Sequence, residues 1–166
     1  MQSSDEKQHR KPTRLKDYNY SQTGAYFITI CTKDRKELLC KIKVGFGIYD
    51  EPETTMSEFG FVAQKNLERE YKNIKIDRYV IMPDHIHILV RVINDDGVSQ
   101  APHPTNAQIP KFVSLFKRYC NRQYGYNIWQ KSYFDHIIRS EEDFLEHLKY
   151  MENNPYKWCE KTKNIE

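Results

Sequence analysis

Apolar and polar positions along the chain repeat with two different periods, and the switches between them mark out the elements. Tyr26-Phe-Ile-Thr-Ile-Cys-Thr32 is β-branched and aromatic and predicts a strand. Leu38 to Tyr49 is shorter and broken by glycine, and predicts a hairpin. Ser57 is placed to cap a helix running to about Tyr71, with Phe61, Val62, Leu67 and Tyr71 as its apolar positions. Ile76–Met82 and Asp84–Val92 predict two strands joined at Met82-Pro83-Asp84. Asn94 to Pro110 holds Gly97, Pro102, Pro104 and Pro110 and predicts a loop. Ile109 to Tyr124 returns to the helical period, and Trp129 to Ile138 predicts a last strand. Ser140 and Asp143 open a final helix whose expected end is Asn153-Asn154-Pro155.

The order strand, hairpin, helix, strand, strand, helix, strand, helix suits an α+β fold. Its expected form is a ferredoxin-like split βαβ unit, an antiparallel sheet with helices on one face. Residues 1–20 read as a basic arm and residues 21–166 as a single domain. No internal repeat or low-complexity tract interrupts them.

Composition narrows the class. The 166 residues include 13% aromatics, which need burial and argue against disorder. No apolar run approaches the ~18 residues of a membrane span, and Met1–Lys16 has no apolar segment of the secretory kind. Cys31, Cys40, Cys120 and Cys159 form no CxxC pair, which disfavours a zinc ribbon or a disulfide scaffold and suits a reducing cytoplasm. The net charge of +3 says little until it is divided. Residues 1–16 carry five basic and two acidic groups, and Gln108–Ser140 carries six basic groups and one acid together with four tyrosines and Trp129. Basic groups interleaved with aromatics suit phosphate contact with base stacking, although a solvated helix face has the same composition.

The chemistry centres on His85-Ile86-His87. Period two sends both imidazoles to one face of the strand, with Ile86, Ile88 and Val90 on the other. Two neutral imidazoles side by side can chelate a divalent cation, and can equally be strand histidines with ordinary hydrogen bonds. On the following helix, Ile109, Phe112, Val113, Phe116 and Cys120 form the sheet-facing stripe. Tyr119 and Gln123 share an (i, i+4) edge of that stripe, where the Gln123 amide would find a partner in a metal on the histidines. Taken alone, Tyr119 is as readily a rim aromatic of the core.

Together these residues resemble the HUH single-tyrosine transposases of the insertion-sequence type. Tyr79-Val-Ile-Met-Pro-Asp-His-Ile-His-Ile-Leu89 is similar to their histidine signature, and Phe116-Lys-Arg-Tyr-Cys-Asn-Arg-Gln123 to their tyrosine helix. Three further stretches resemble the REP-associated branch. They are Arg14–Tyr18 with Gly24–Cys31, Trp129-Gln-Lys-Ser-Tyr-Phe-Asp-His-Ile-Ile-Arg139, and Tyr150-Met-Glu-Asn-Asn-Pro-Tyr-Lys-Trp158. Asp84 stands where such proteins often have Asn, and Cys120 where a small hydroxyl residue is common.

The resemblance implies a metal-dependent transposase and endonuclease for hairpin-containing single-stranded DNA. It would cleave and rejoin DNA through a covalent 5′-phosphotyrosine, with Tyr119 as nucleophile and His85, His87 and Gln123 holding Mg²⁺ or Mn²⁺. Arg10, Lys11, Arg14 and Lys16, with Lys117, Arg118 and Arg122, are the expected phosphate contacts. Arg139 and Asn153-Asn154-Pro155 are expected to support the site or the DNA. The partners implied are palindromic single-stranded hairpins and, in some relatives, a second copy of the chain, with no membrane. The alternative is a ferredoxin-like module that binds single-stranded nucleic acid without cutting it.

Overall fold

The computed structural model describes residues 24–43, 51–93 and 108–163, with side chains to residue 161. The expected basic arm and most of the expected loop after Val92 lie outside these residues. Six strands and three helices follow in the order β1 (Gly24–Cys31), β2 (Cys40–Lys43), β3 (Glu53–Met56), α1 (Glu58–Leu67), β4 (Ile74–Met82), β5 (His85–Val92), α2 (Gln108–Tyr124), β6 (Phe134–Ile138) and α3 (Glu141–Lys163).

The main sheet has the order β4-β5-β1-β6, and every neighbouring pair is antiparallel. With the β2–β3 ribbon set aside, the path is strand, helix, strand, strand, helix, strand. The strands on either side of α1, β1 and β4, are separated by β5, which is the split βαβ arrangement expected. Strand β5 occupies the centre. It pairs with β1 from Cys31↔His85 to Gly24↔Val92 and with β4 from Met82↔His85 to Ile74↔Val92.

Both faces of this sheet are covered. Ile28, Ile30, Ile86, Ile88 and Val90 are fully buried against Phe112, Val113 and Phe116 of α2 and Ala63 and Leu67 of α1. On the opposite face Phe27 and Leu89 pack with Met151, Phe144 and Leu148 of α3. Helices α1 and α2 share one face, but α3 takes the other, where the sequence pattern expects all the helices on one face. Alternation explains the split, because the odd positions of β5 carry His85, His87 and Leu89, and Leu89 needs an apolar cover of its own.

Several boundaries differ from the sequence pattern. Helix α3 runs through Pro155 to Lys163, beyond its expected end. A mid-helix proline removes one backbone bond. Burial of Met151, Asn154 and Cys159, with the Trp158 ring near His85, holds the turns on both sides of it to the sheet. Pro110 lies inside the first turn of α2, where its missing N–H has no intrahelical partner to lose. The return strand of the hairpin is Glu53–Met56, later than expected. Helix α1 stops at Leu67, and Asn73, with φ 61°, turns the chain so that the buried Tyr71 lies edge-on to Phe112 at 4.8 Å. The last strand shortens to Phe134–Ile138, with Trp129 keeping only a bridge to Thr32. Trp129 and Tyr133 are buried packing residues.

Ser57 does cap α1: its Oγ accepts from the Gly60 N–H at 3.1 Å. Gly60 is required there by close approach. A Cβ would lie 2.1 Å from the carbonyl oxygen of Leu39. Gly60→Ala should therefore cost about 1–3 kcal/mol, the usual range for overpacking, read as a fall in the urea midpoint.

Candidate active site

The two imidazoles converge. His85 Nε2 and His87 Nε2 are 3.0 Å apart, and both residues are buried. Their outer nitrogens are anchored. His85 Nδ1 donates to the Asp84 carboxylate, and His87 Nδ1 is 2.8 Å from Thr29 Oγ1, its cross-strand neighbour. The Asp84 contact fixes the proton of His85 on Nδ1 and leaves a lone pair on Nε2. The Thr29 hydroxyl can donate or accept, so His87 can present either a proton or a lone pair at Nε2. Burial pushes the His87 imidazole down to about 3, and it is neutral through the physiological range.

Asp84 is itself held. Arg35 Nε lies 2.7 Å from its second oxygen, and Arg35 also donates to Cys31 Sγ. Arg35 arrives through a tight turn in which Asp34 and Arg35 both have left-handed φ, 56° and 55°. The Thr32 N–H donates to Asp84 O, and Leu39 N–H donates to Pro83 O, which pins the turn before the histidines to two flanking segments.

Helix α3 covers this pair. The Tyr150 ring is 5.4 Å from His87 and 6.0 Å from Phe27, and the Trp158 ring is 6.2 Å from His85. These are positions i and i+8 of one helix, so the same stripe carries Asn154 between them. Asn154 is 7% exposed, and its Nδ2 has no hydrogen-bond partner. A buried amide of this kind is rare unless a ligand completes it. Tyr150 remains 41% exposed, with Lys157 Nζ 5.3 Å from the centre of its ring.

Tyr119 and Gln123 are elsewhere. Helix α2 packs on the isoleucine face, so its residues are separated from the imidazoles by the sheet itself. The Tyr119 ring lies under the Arg69 guanidinium at 4.4 Å and 6.4 Å from Tyr71, and Gln123 Nε2 is 3.5 Å from Asn66 Oδ1. The expected pairing of these two with the histidines is therefore corrected. The physical reason is that a split βαβ unit sends both crossover helices to one face, and the imidazoles point to the other.

The basic residues divide in the same way. Lys117 Nζ donates to the backbone oxygens of Gln130 and Ser132 at 2.7 and 3.0 Å, and burial lowers its ammonium to about 8. It ties α2 to the segment before β6. Arg118 and Arg122 are exposed. Arg10, Lys11, Arg14 and Lys16 lie outside the described residues. Sequence reasoning missed Thr29, Arg35 and Tyr150 as members of the site, and expected Asn154 only as a support for it. The signal available for the last two was their four-residue spacing in a helix that no other face of the sheet could accommodate.

The chain belongs to the IS200-like transposase family, whose model matches residues 20–154. An uncharacterised protein of Haemophilus influenzae is 31% identical, with 90% of each chain covered. The REP-associated tyrosine transposase of Escherichia coli strain K12 is 24% identical over 83% of this chain and 70% of its own. A solved REP-associated tyrosine transposase bound to a REP hairpin shares the fold, with a TM-score of 0.51 at 22% identity over 81% of this chain and 67% of that one. Among the described residues no helix is long and apolar enough to cross a membrane.

The seat of α3 rests on Met151, which is 2% exposed between Phe27 and Leu89. Met151→Ala should destabilise the fold by about 2–5 kcal/mol in chemical denaturation.

Proposed function

We propose that the chain is a metal-dependent transposase that binds hairpin-containing single-stranded DNA and cleaves and rejoins it, with Tyr150 as the nucleophile. The observation that carries this is the stripe Tyr150–Asn154–Trp158 lying over the converging Nε2 atoms of His85 and His87. Membership of the IS200-like family supports the reaction, and the hairpin carried by the structurally similar transposase supports the substrate.

The residues present suit a divalent cation. Two imidazole nitrogens lie 3.0 Å apart with their far nitrogens anchored, and the helix stripe that brings Tyr150 and Trp158 to them also carries a buried amide with an open hydrogen-bonding position. Turning the Asn154 amide exchanges oxygen for nitrogen, which makes it a third donor. Two histidines and an amide oxygen accept Mg²⁺ or Mn²⁺ and also tolerate softer ions. Such an ion, when bound, supplies charge stabilisation at the scissile phosphate.

This chain's own groups do the rest. Tyr150 is exposed enough to meet a phosphodiester, while Phe27 and His87 fix the plane of its ring. Attack of its oxygen on phosphorus forms a tyrosyl phosphodiester and releases a DNA 3′-hydroxyl. Return attack by a 3′-hydroxyl restores the tyrosine, so no external energy source is consumed. A phenol ordinarily ionises near pH ~10 and is a weak nucleophile, so in-line placement and charge neutralisation carry the rate. Asp84 and Thr29 hold the imidazoles in orientation, and Arg35 holds Asp84. Arg118 and Arg122, with Arg10, Lys11, Arg14 and Lys16, are proposed phosphate contacts.

With a labelled hairpin substrate and Mn²⁺, Tyr150→Phe should abolish the covalent adduct on denaturing gels while preserving hairpin retention on native gels. Tyr119→Phe should still form the adduct. Adduct formation by Tyr150→Phe, or its loss only in Tyr119→Phe, overturns the assignment. A wild-type chain that binds hairpin DNA with no adduct under Mg²⁺ or Mn²⁺ would make it a binding module.

Asp84→Ala should weaken Mn²⁺ binding by about 10–100-fold in calorimetry, because His85 loses the carboxylate that orients it. Asp84→Asn, which retains an acceptor, should lose less.

A further inference from the structure

A second cluster of metal-ligating side chains lies on the α3 face, linked to His87 through Phe27, whose ring packs on both His87 and His147. His136 Nε2, the Asp143 carboxylate and His147 Nδ1 present ligand atoms that all fall within 4.8 Å of one another. His136 Nε2 is 3.1 and 3.0 Å from the two oxygens of Asp143, and His147 Nδ1 is 3.0 Å from Oδ1. The two imidazoles stack at 4.6 Å with an interplanar angle of 19°.

The cluster is built from two elements. His136 comes from β6, in register with Phe27 of β1, and Asp143 and His147 are one helical turn apart at the start of α3. Its members are oriented from outside. The Arg139 N–H donates to Asp143 Oδ2 at 3.0 Å, and the His147 ring packs on Phe27 at 4.7 Å. His136 is half exposed, which leaves an open side for solvent and for access of an ion.

We infer that His136, Asp143 and His147 form a second metal site for a borderline transition-metal ion such as Zn²⁺ or Co²⁺, which ties β6 to the first turns of α3. Two imidazole nitrogens and a carboxylate are a ligand set of this class, with water in the remaining position. At Zn–N and Zn–O distances of ~2.0–2.1 Å, tetrahedral donors stand about 3.4 Å apart, so each imidazole–carboxylate contact lengthens by only a few tenths of an ångström. To bind an ion, each ring presents a lone pair rather than an N–H at its ligating nitrogen. The hard-ion preference expected at His85 and His87 does not extend to this site. The inference stands apart from the proposed chemistry, since none of its three ligands belongs to that pair. Its consequence for the domain is mechanical: Tyr150 follows His147 by three residues, so an ion here restrains the turn that carries it.

The test is Co²⁺ titration of the full tag-free chain carrying His9→Gln and His103→Gln, followed by visible absorption and by metal count after gel filtration. Adding His136→Gln with His147→Gln should remove one bound ion and at least tenfold in Co²⁺ affinity at that site. Adding His85→Gln with His87→Gln instead should leave this site's absorption band in place. A metal count and spectrum unchanged by His136→Gln with His147→Gln overturn the inference. If the His85 and His87 variant fails to fold by circular dichroism, the comparison at His136 and His147 decides alone. Loss of binding only in the His85 and His87 variant would leave the proposed active site standing and this one refuted.

Discussion

Everything in this domain depends on β5 being paired on both edges and covered on both faces. Its residues from His85 to Val90 are all buried, between β1 and β4 laterally and between two helical layers vertically. A strand so enclosed has no freedom of register, because a slip of one residue would drive isoleucines to the histidine face and imidazoles into the core. The positions of Nε2 on His85 and His87 are thus a consequence of the same packing that stabilises the fold. So is the neutrality of His87, since burial penalises its charged form.

The two faces divide the work. The isoleucine face is a continuous apolar core shared by α1 and α2, and it contains the buried Phe112, Phe116 and Cys120. The histidine face has a smaller apolar seat, Phe27, Leu89 and Met151, surrounded by groups that can ligate or stack. Phe27 lies at its centre, stacked on His87 at 4.9 Å and touching His147 and Tyr150. The helix that bears the proposed nucleophile is therefore docked on the ring that also supports one of the proposed ligands. An apolar contact of this kind gives the helix a defined but small seat.

Much of this was legible in the chain. Period-two alternation in Tyr26–Thr32 and in His85–Val92 located the central strands, and the parity of His85 and His87 placed both imidazoles on one face. The 3.6-residue spacing of Ile109, Phe112, Val113, Phe116 and Cys120 identified the core stripe of α2. Ser57 and Ser140 marked true helix starts, through bonds to the N–H groups of Gly60 and Asp143. Boundaries set by punctuation were less secure. Pro155 reads as a stop, yet burial of Asn154 and Cys159 on either side outweighs one lost backbone bond.

By itself, then, the sequence determined the strand order available to the sheet, the common face of the two imidazoles and the family to which the chain belongs. Only the tertiary structure decided which helix meets that face. Tyr119 with Gln123 and Tyr150 with Asn154 offer the same i, i+4 pattern, a hydroxyl and an amide one turn apart. Local spacing cannot separate them, because each is consistent with its own helix. The choice follows from the handedness and parity of the whole path. The crossover helices α1 and α2 fill the isoleucine side, and the remaining helix is left to cover the histidines.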